Sequence, residues 1–282
     1  MGAFPPDTIV GPFTARVRLT KTGPVAVVNE SGARVYIVEG LDTEQAALAA
    51  AVAWAETQAA SRRVAPRRPA KPRAMPTERI SIDRLVEKFL RYFPDGFEDA
   101  EYLGEKSERV YKLAAKAKLD AAVTVEAALF ADQAQCDSVK AVFGTNMLSR
   151  FENARAREVL ASAEGPAYLR GAAQLVRGDV AGGLQTIRDA VAPHGNVSWP
   201  LATFLPSLWD TDRQIFLKIE ATKRVAGWLG HKFCVQYAPQ LEPAVHASLM
   251  DFADQTRASI AGLKPRDMID VQSFIWVAAE YD

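Results

Sequence analysis

The stretch Ser61–Arg73 reads SRRVAPRRPAKPR and divides this 282-residue chain into two parts. It contains three prolines and no acidic residue, and its basic residues are Arg62, Arg63, Arg67, Arg68, Lys71 and Arg73. Proline lacks a backbone donor and disfavours helix at the residue before it, so residues 61–79 are predicted to form an extended, solvated linker. This linker would join a small domain over residues 1–60 to a larger domain over residues 80–282.

The formal net charge of zero is the sum of unlike parts. Residues 61–79 include seven basic residues and one acidic residue. Residues 1–60 include four basic and six acidic residues, and residues 80–282 include 23 basic and 27 acidic residues. A local block of positive charge attracts polyanions. We therefore expect nucleic acid, in particular duplex DNA, as the partner. The alternative is a basic linker that binds nothing and serves only as a tether.

The apolar content of 49% is typical of a chain with one or two globular domains. The most apolar window, residues 46–55, is too short and too rich in alanine to cross a bilayer, and the N-terminus lacks the pattern of a signal peptide. Cys136 and Cys234 form neither a CxxC pair nor a disulfide framework, which favours reduced, buried thiols. These observations predict a cytoplasmic protein without a membrane partner.

The N-terminal part shows the pattern of three strands followed by a helix. In residues 14–20, TARVRLT, apolar residues alternate with arginines, which is typical of a half-buried strand. Turn residues separate this strand from VAVVN at 25–29 and from ARVYIVE at 33–39. Asp42 is predicted to cap a helix in which apolar residues recur at helical spacing, namely Leu48, Ala51, Val52 and Ala55.

Alternation places Arg16 and Arg18 outward on the first predicted strand, and Arg34 and Tyr36 outward on the third. We expect these four side chains to share the sheet face that the helix leaves open. In strand order and in these residues the unit resembles AP2-type and phage-integrase arm-binding domains, and the resemblance implies that the sheet enters the DNA major groove. The alternative is that solvent-facing strands carry arginine to stay soluble and to resist edge pairing.

From Glu78 onward the periodicity is helical. Helices are predicted from the cap Ser81 to Phe93, from about Asp99, and over residues 125–143, 146–162, 166–177, 181–191 and 243–263. The expected fold class is therefore α+β: a small three-stranded antiparallel sheet plus helix, followed by a larger all-α domain.

Residues 167–193, AYLRGAAQLVRGDVAGGLQTIRDAVAP, look like one tetratricopeptide-type hairpin. Because stacked repeats need at least three units to bury a core, an ordinary helical hairpin is the preferred interpretation. A protein-interaction scaffold, with a protein partner bound through the helical domain, remains the second hypothesis for the function.

The predicted helix after Asp99 is rich in cations, which are Arg109, Lys112, Lys116 and Lys118. Glutamates are interleaved with them, so this helix is predicted to present a solvated surface with salt bridges.

The last predicted helix begins after Asp267, which can cap it, and has Asp270 in its first turn near the positive end of the dipole. Phe274 and Trp276 belong to an apolar run that is predicted to pack in the core. Residues 265–277, PRDMIDVQSFIWV, resemble the C-terminal part of a group of uncharacterised bacterial proteins. The resemblance extends over residues 80–282, and it implies a bacterial or phage source and a shared fold but no activity.

Motifs of catalysis are missing from the sequence. The histidines have neither HxH nor HExxH spacing, and there is no phosphate-binding glycine loop or nucleophile elbow. We therefore expect no catalytic residue, no metal ligand and no cofactor, although whether the protein is an enzyme stays open. A third hypothesis is a metal-dependent nuclease with magnesium held by acids drawn from Asp95, Asp99, Glu101, Asp267 and Asp270. The leading hypothesis is a non-catalytic, DNA-binding bacterial accessory or regulatory protein.

Overall fold

The structure of the protein is a computed structural model that describes residues 8–10, 13–20, 22–30, 33–64, 75–105 and 107–282. The chain folds as two compact units, which are Met1–Lys71 (unit 1) and Pro72–Asp282 (unit 2). A sheet belongs to unit 1 and most of the helices to unit 2. The predicted α+β class is confirmed.

Unit 1 is an antiparallel sheet with a helix on one face. Its strands β1 (Thr8–Val10), β2 (Phe13–Thr20), β3 (Gly23–Glu30) and β4 (Ala33–Val38) are neighbours in chain order, and the helix α1 spans Glu44–Val64. The sequence predicts β2, β3 and β4 but not β1, which pairs with β2. A strand of three residues is too short for alternation to reveal it.

The core of unit 1 lies between α1 and the sheet. Alternate residues of β2 and β3 are buried, and so are alanines spaced four apart on α1: Phe13, Ala15, Val17, Ala26, Val28, Ala47, Ala51 and Ala55. Residues four apart lie on one face of a helix, so the alanines let α1 pack close to the sheet. The helix begins one residue later than predicted, because its cap is Thr43 rather than Asp42. The side-chain hydroxyl of Thr43 accepts a hydrogen bond from the backbone N–H of Ala46 at 3.1 Å.

Both described ends of the predicted linker, residues 61–64 and 75–79, belong to the compact units, and residues 65–74 lie outside the described residues. Helix α1 continues to Val64, and the first proline, Pro66, disfavours helix at the residue before it, which accounts for this end. At the other end, Met75 packs against the core of unit 2, and Nη1 of Arg79 donates to the carbonyl oxygen of Gly227 at 2.9 Å. Residues 75–79 therefore belong to unit 2.

Unit 2 consists of helices in its described part. They are α2 (Ile82–Tyr92), α3 (Ala100–Leu103), α4 (Glu108–Ala122), α5 (Val125–Ala128), α6 (Gln133–Val139), α7 (Arg150–Leu160), α8 (Gly165–Val176), α9 (Val180–Val191), α10 (Trp199–Trp209), α11 (Ile219–Trp228), α12 (Phe233–Gln236), α13 (Pro243–Ser259) and α14 (Met268–Glu280). Within the described residues, no helix combines the length and apolar content needed to cross a membrane.

Local caps divide two helices that periodicity predicts to be continuous. The helix expected from Asp99 becomes α3 and α4, because Ser107 accepts from the N–H of Val110 and starts a new helix. The helix expected over 125–143 becomes α5 and α6, because Asp132 and Gln135 form a capping box. The predicted cap Ser81 is confirmed at the start of α2.

Two helices form the centre of unit 2. Every residue of α10 is buried, and α14 is buried along most of its length, including Phe274 but only part of Trp276. Helices α4, α7 and α8 contact α10, and helices α2, α4, α11 and α13 contact α14. A helix that is apolar on all sides is typical of the interior of a domain, which explains why the other helices surround these two.

Helices α8 and α9 form the predicted hairpin and approach each other most closely at two glycines. A Cβ added to Gly171 would lie 2.9 Å from the carbonyl oxygen of Gly183, and one added to Gly183 would lie 2.7 Å from the carbonyl oxygen of Gly171. A carbonyl oxygen of the backbone cannot move away from an added Cβ as the end of a flexible side chain can. A methyl group at either position would therefore push the two helices apart.

We expect Gly171→Ala and Gly183→Ala each to lower the free energy of unfolding by about 1–3 kcal/mol, measured by urea denaturation, because both overpack a filled contact. Gly262→Ala is the control, since a Cβ there meets no atom within 4 Å. Its effect should stay within about 0.5 kcal/mol. Equal stability of all three variants would contradict the close approach of α8 and α9.

Candidate nucleic-acid interface

The face of the unit 1 sheet opposite α1, hereafter the open face, carries arginines from two strands. Arg16 and Arg18 on β2 are exposed and alternate with the buried Ala15 and Val17. Arg34 on β4 is also exposed and pairs with Asn29 of β3, which lies on the same face. The predicted outward orientation of the three arginines is confirmed.

Tyr36, in contrast, lies on the face that α1 covers. Its ring stacks on Trp54 of α1, with ring centroids 4.4 Å apart and planes inclined by 4°, and its pairing partner is the buried Val28. The register of β3 and β4 shifts between Val28 and Asn29, so Val35 forms a β-bulge. One extra residue sends Arg34 and Tyr36 to opposite faces, and the prediction that Tyr36 faces outward is therefore wrong.

The three arginines form a triangle on the open face, with Arg16 and Arg18 on one strand and Arg34 two strands away. Side chains two residues apart on a strand are separated by ~7 Å, and neighbouring strands by ~4.8 Å. Arg34 pairs with Asn29, and Asn29 pairs with Thr14 of β2. Arg34 is therefore two strands away from Arg18 and displaced from it by four residues along the strand direction. That offset corresponds to ~17 Å.

Uncharged residues fill the space between the arginines on the open face. They include Val25 and Val27 of β3 and Ile37 of β4. No carboxylate occupies a described strand position of this face. In its described strand positions the open face is therefore cationic, with an apolar centre.

The linker cations are described only in part. The backbone of Arg62 and Arg63 belongs to the last turn of α1 rather than to an extended chain. Arg67, Arg68, Lys71 and Arg73 lie outside the described residues. Their predicted role as phosphate contacts stays a prediction.

A second concentration of charge is buried in unit 2, where α14 begins. Asp267 caps α14, as predicted, and its two carboxylate oxygens accept from Arg109 of α4 at 2.8 and 2.9 Å. Asp270 is fully buried and accepts from Arg109 at 2.8 Å and from the hydroxyl of Tyr102 at 2.6 Å. Arg266 donates to Asp270 through its backbone N–H and its Nε, both at 2.9 Å. We call these five residues the arginine–aspartate network.

Lys112 is buried beside this network. It is only 2% exposed, and its ammonium group contacts Glu108 at 2.9 Å and also Gln272 of α14. Burial lowers the pKa of Lys112, although the charge of Glu108 opposes the shift. The prediction that Arg109 and Lys112 lie on a solvated surface is wrong, because α14 supplies partners that no local pattern reveals.

Three of the five carboxylates considered for a nuclease site have partners other than a metal. Asp267 and Asp270 are neutralised by arginine, while Asp99 accepts from the backbone N–H groups of Asp95 and Glu101 at 3.3 and 2.9 Å. Among the described residues, no group of three His, Cys, Asp or Glu side chains is placed to hold a metal ion. The geometry gives the nuclease hypothesis no support.

Comparison of the chain with protein-family models, with curated proteins and with solved structures finds no match. The geometry of the open face and of unit 2 is therefore the basis for a functional proposal.

We expect Asp270→Asn to lower the free energy of unfolding of unit 2 by about 3–5 kcal/mol, because the buried guanidinium group of Arg109 and the partly exposed one of Arg266 lose their shared counter-charge. A carboxylate that acted only through the helix dipole would contribute about 0.3–1 kcal/mol, so urea denaturation distinguishes the two roles. Asp95→Asn is the control, since Asp95 is exposed. A small effect of Asp270→Asn would show that the network is not needed for stability.

Proposed function

We propose that the protein binds duplex DNA through the open face of unit 1 and acts as a non-catalytic accessory or regulatory protein of a bacterial cytoplasm. The observation that carries the proposal is the triangle of Arg16, Arg18 and Arg34 on a face without a carboxylate in its described strand positions. The buried free thiols of Cys136 and Cys234 support a reducing compartment.

The dimensions of the open face suit the major groove of B-DNA. That groove is ~12 Å wide, and the distance from β2 to β4 is ~10 Å. Arg16 and Arg18 are ~7 Å apart, which is about two base-pair steps, so consecutive outward side chains of β2 can address successive bases or phosphates. The full distance from Arg18 to Arg34 covers about five base pairs.

The chemistry of the open face supports contact with bases as well as phosphates. Guanidinium groups donate bidentately to guanine O6 and N7, and aliphatic side chains contact the thymine methyl group. Val35 and Ile37 are 41% and 39% exposed beside the arginines. A face that served solubility alone would mix charges of both signs rather than combine arginine with exposed aliphatic residues.

The basic linker would add affinity without sequence preference. Its first two cations, Arg62 and Arg63, belong to the last turn of α1, and the others follow in the sequence. Each phosphate that they neutralise releases counterions. In this proposal the open face positions unit 1 in the groove, and the linker follows the adjacent backbone.

A protein-interaction scaffold remains the second candidate because of one observation in unit 2. The exposed side of α4 carries an apolar strip, with Val110 and Leu113 exposed by 36% and 38% and followed at helical spacing by the exposed Ala114 and Ala117. Such a strip is typical of a surface that packs against another protein. In this case the linker is a tether, and DNA affinity should be absent.

The test measures the affinity of the full chain for duplex DNA at 50–200 mM salt, a range over which counterion release has a large effect. The variant with Arg16→Ala, Arg18→Ala and Arg34→Ala should bind more weakly. Its slope of log affinity against log salt should be shallower by about 0.9 for each phosphate that is no longer neutralised. Removal of a bidentate bond to a base should cost ~1–3 kcal/mol on a preferred sequence and less on random DNA.

The matched control removes three exposed cations of unit 2 by Arg84→Ala, Arg91→Ala and Lys118→Ala. Both triple variants change the net charge by the same amount. A difference in their DNA affinity would therefore show that the open face is the binding site. Equal binding by the two variants would overturn the proposal for the open face. Failure of the parent protein to bind DNA at low salt would favour the scaffold.

A further inference from the structure

Unit 2 contains a cavity of about 280 Å³ that shares no residue with the proposed DNA-binding face. It lies among the end of α2, α3, the start of α4 and the C-terminal half of α14. Its walls are mainly aromatic, with rings from Tyr92, Phe93, Tyr102, Trp276 and Tyr281. The volume is near the lower limit for ligand pockets, so the cavity suits one small chemical group rather than a nucleotide.

The rings are arranged as a box and not as a stack. Tyr92 and Tyr281 are perpendicular, with planes at 89° and centroids 4.9 Å apart, and Phe93 and Tyr102 meet at 74° with centroids 5.4 Å apart. Rings at right angles form adjacent walls of a cavity. The faces of aromatic rings carry partial negative charge, which makes such a box attractive to a cation.

Two carboxylates, Glu101 and Glu108, also line this cavity, and no lysine or arginine is among its described lining residues. Glu101 is exposed, whereas Glu108 is partly buried and contacts Lys112 at 2.9 Å. Burial raises the pKa of Tyr281, and the negative charge of Glu108 raises it further, so the field of this carboxylate reaches another wall of the box.

A cation already lies against one of the walls. Nζ of Lys218 is 5.5 Å from the ring centroid of Trp276 and donates to the carbonyl oxygen of Met147 at 2.7 Å. Lys218 is not among the residues that line the cavity, so it does not fill the box.

We propose that this cavity binds an organic cation of the methylated ammonium class. The aromatic walls would surround the methyl groups, and Glu101 and Glu108 would supply the counter-charge. A methylated ammonium group is weakly hydrated and presents apolar methyl groups, so it loses little on leaving water and gains contacts with the aromatic walls. A free choline-like molecule and a methylated lysine side chain share this chemistry.

Isothermal titration calorimetry of the full chain tests the proposal with choline, tetramethylammonium and 3,3-dimethyl-1-butanol, which is the neutral isostere of choline. Choline and tetramethylammonium should bind at least about tenfold more tightly than the isostere, because only they carry the charge that the rings and carboxylates recognise. Equal binding of choline and the isostere would overturn the proposal, as would absence of binding by either cation at millimolar concentration. A peptide that contains trimethyllysine represents the other source of a methylated ammonium group. Whichever of the peptide and choline binds with the higher affinity identifies the physiological class of ligand.

Variants of exposed residues decide the location without disturbing the core. Tyr281→Leu removes one ring after the end of α14, and Glu101→Gln removes one carboxylate; each should weaken choline binding by at least about fivefold. The controls Phe130→Leu and Glu105→Gln change an exposed aromatic residue and an exposed glutamate that do not line the cavity, and they should leave binding unchanged. Equal weakening by controls and cavity variants would place binding elsewhere and overturn the assignment.

Discussion

The contact of one guanidinium group, that of Arg109, with two carboxylates of α14 constrains the arrangement of unit 2. Asp267 and Asp270 lie at the start of α14, and both are within 2.9 Å of the guanidinium group on α4. Buried charges are tolerated only when they are paired and hydrogen-bonded. A shift of α14 by one residue would turn these carboxylates away from Arg109 by about 100° and leave charges without partners in the interior.

The arginine–aspartate network therefore selects one position of α14 among those that hydrophobic packing alone would allow. This selection matters because α14 contacts α2, α4, α11 and α13, and its apolar sides give little directional information. Polar groups supply that information, since a hydrogen bond has a narrow range of distance and angle while apolar contacts do not. The cavity lined by Tyr102 and Trp276 lies beside this network, so the same contacts hold its walls in place.

Several features that depend on neighbouring residues were predictable from the sequence, although the local caps Ser107 and Asp132 were missed, whereas features that depend on distant pairing were not. The caps Ser81 and Asp267 and the alternation in β2 are local, and the structure confirms them. The burial of Arg109 depends on Asp267, which is 158 positions away, and a single sequence contains no signal for that contact. The inward position of Tyr36 depends on a bulge that only the pairing of β3 with β4 produces. One clue was present, since Trp54 lies seven residues after Ala47 and so on the face of α1 that meets the sheet.

The bulge at Val35 makes this point of β4 tolerant of a change in chain length. Deletion of Val35 would leave Arg34 and Tyr36 adjacent and therefore still on opposite faces, so every remaining side chain of β4 would keep its face. Deletion of a residue elsewhere within the paired part of β4 would instead invert every side chain on one side of the gap. Homologues of this sheet are therefore expected to differ in length by one residue at Val35. A sequence alignment then needs a gap at this position, so that residues that face outward in one protein are aligned with residues that face outward in the other.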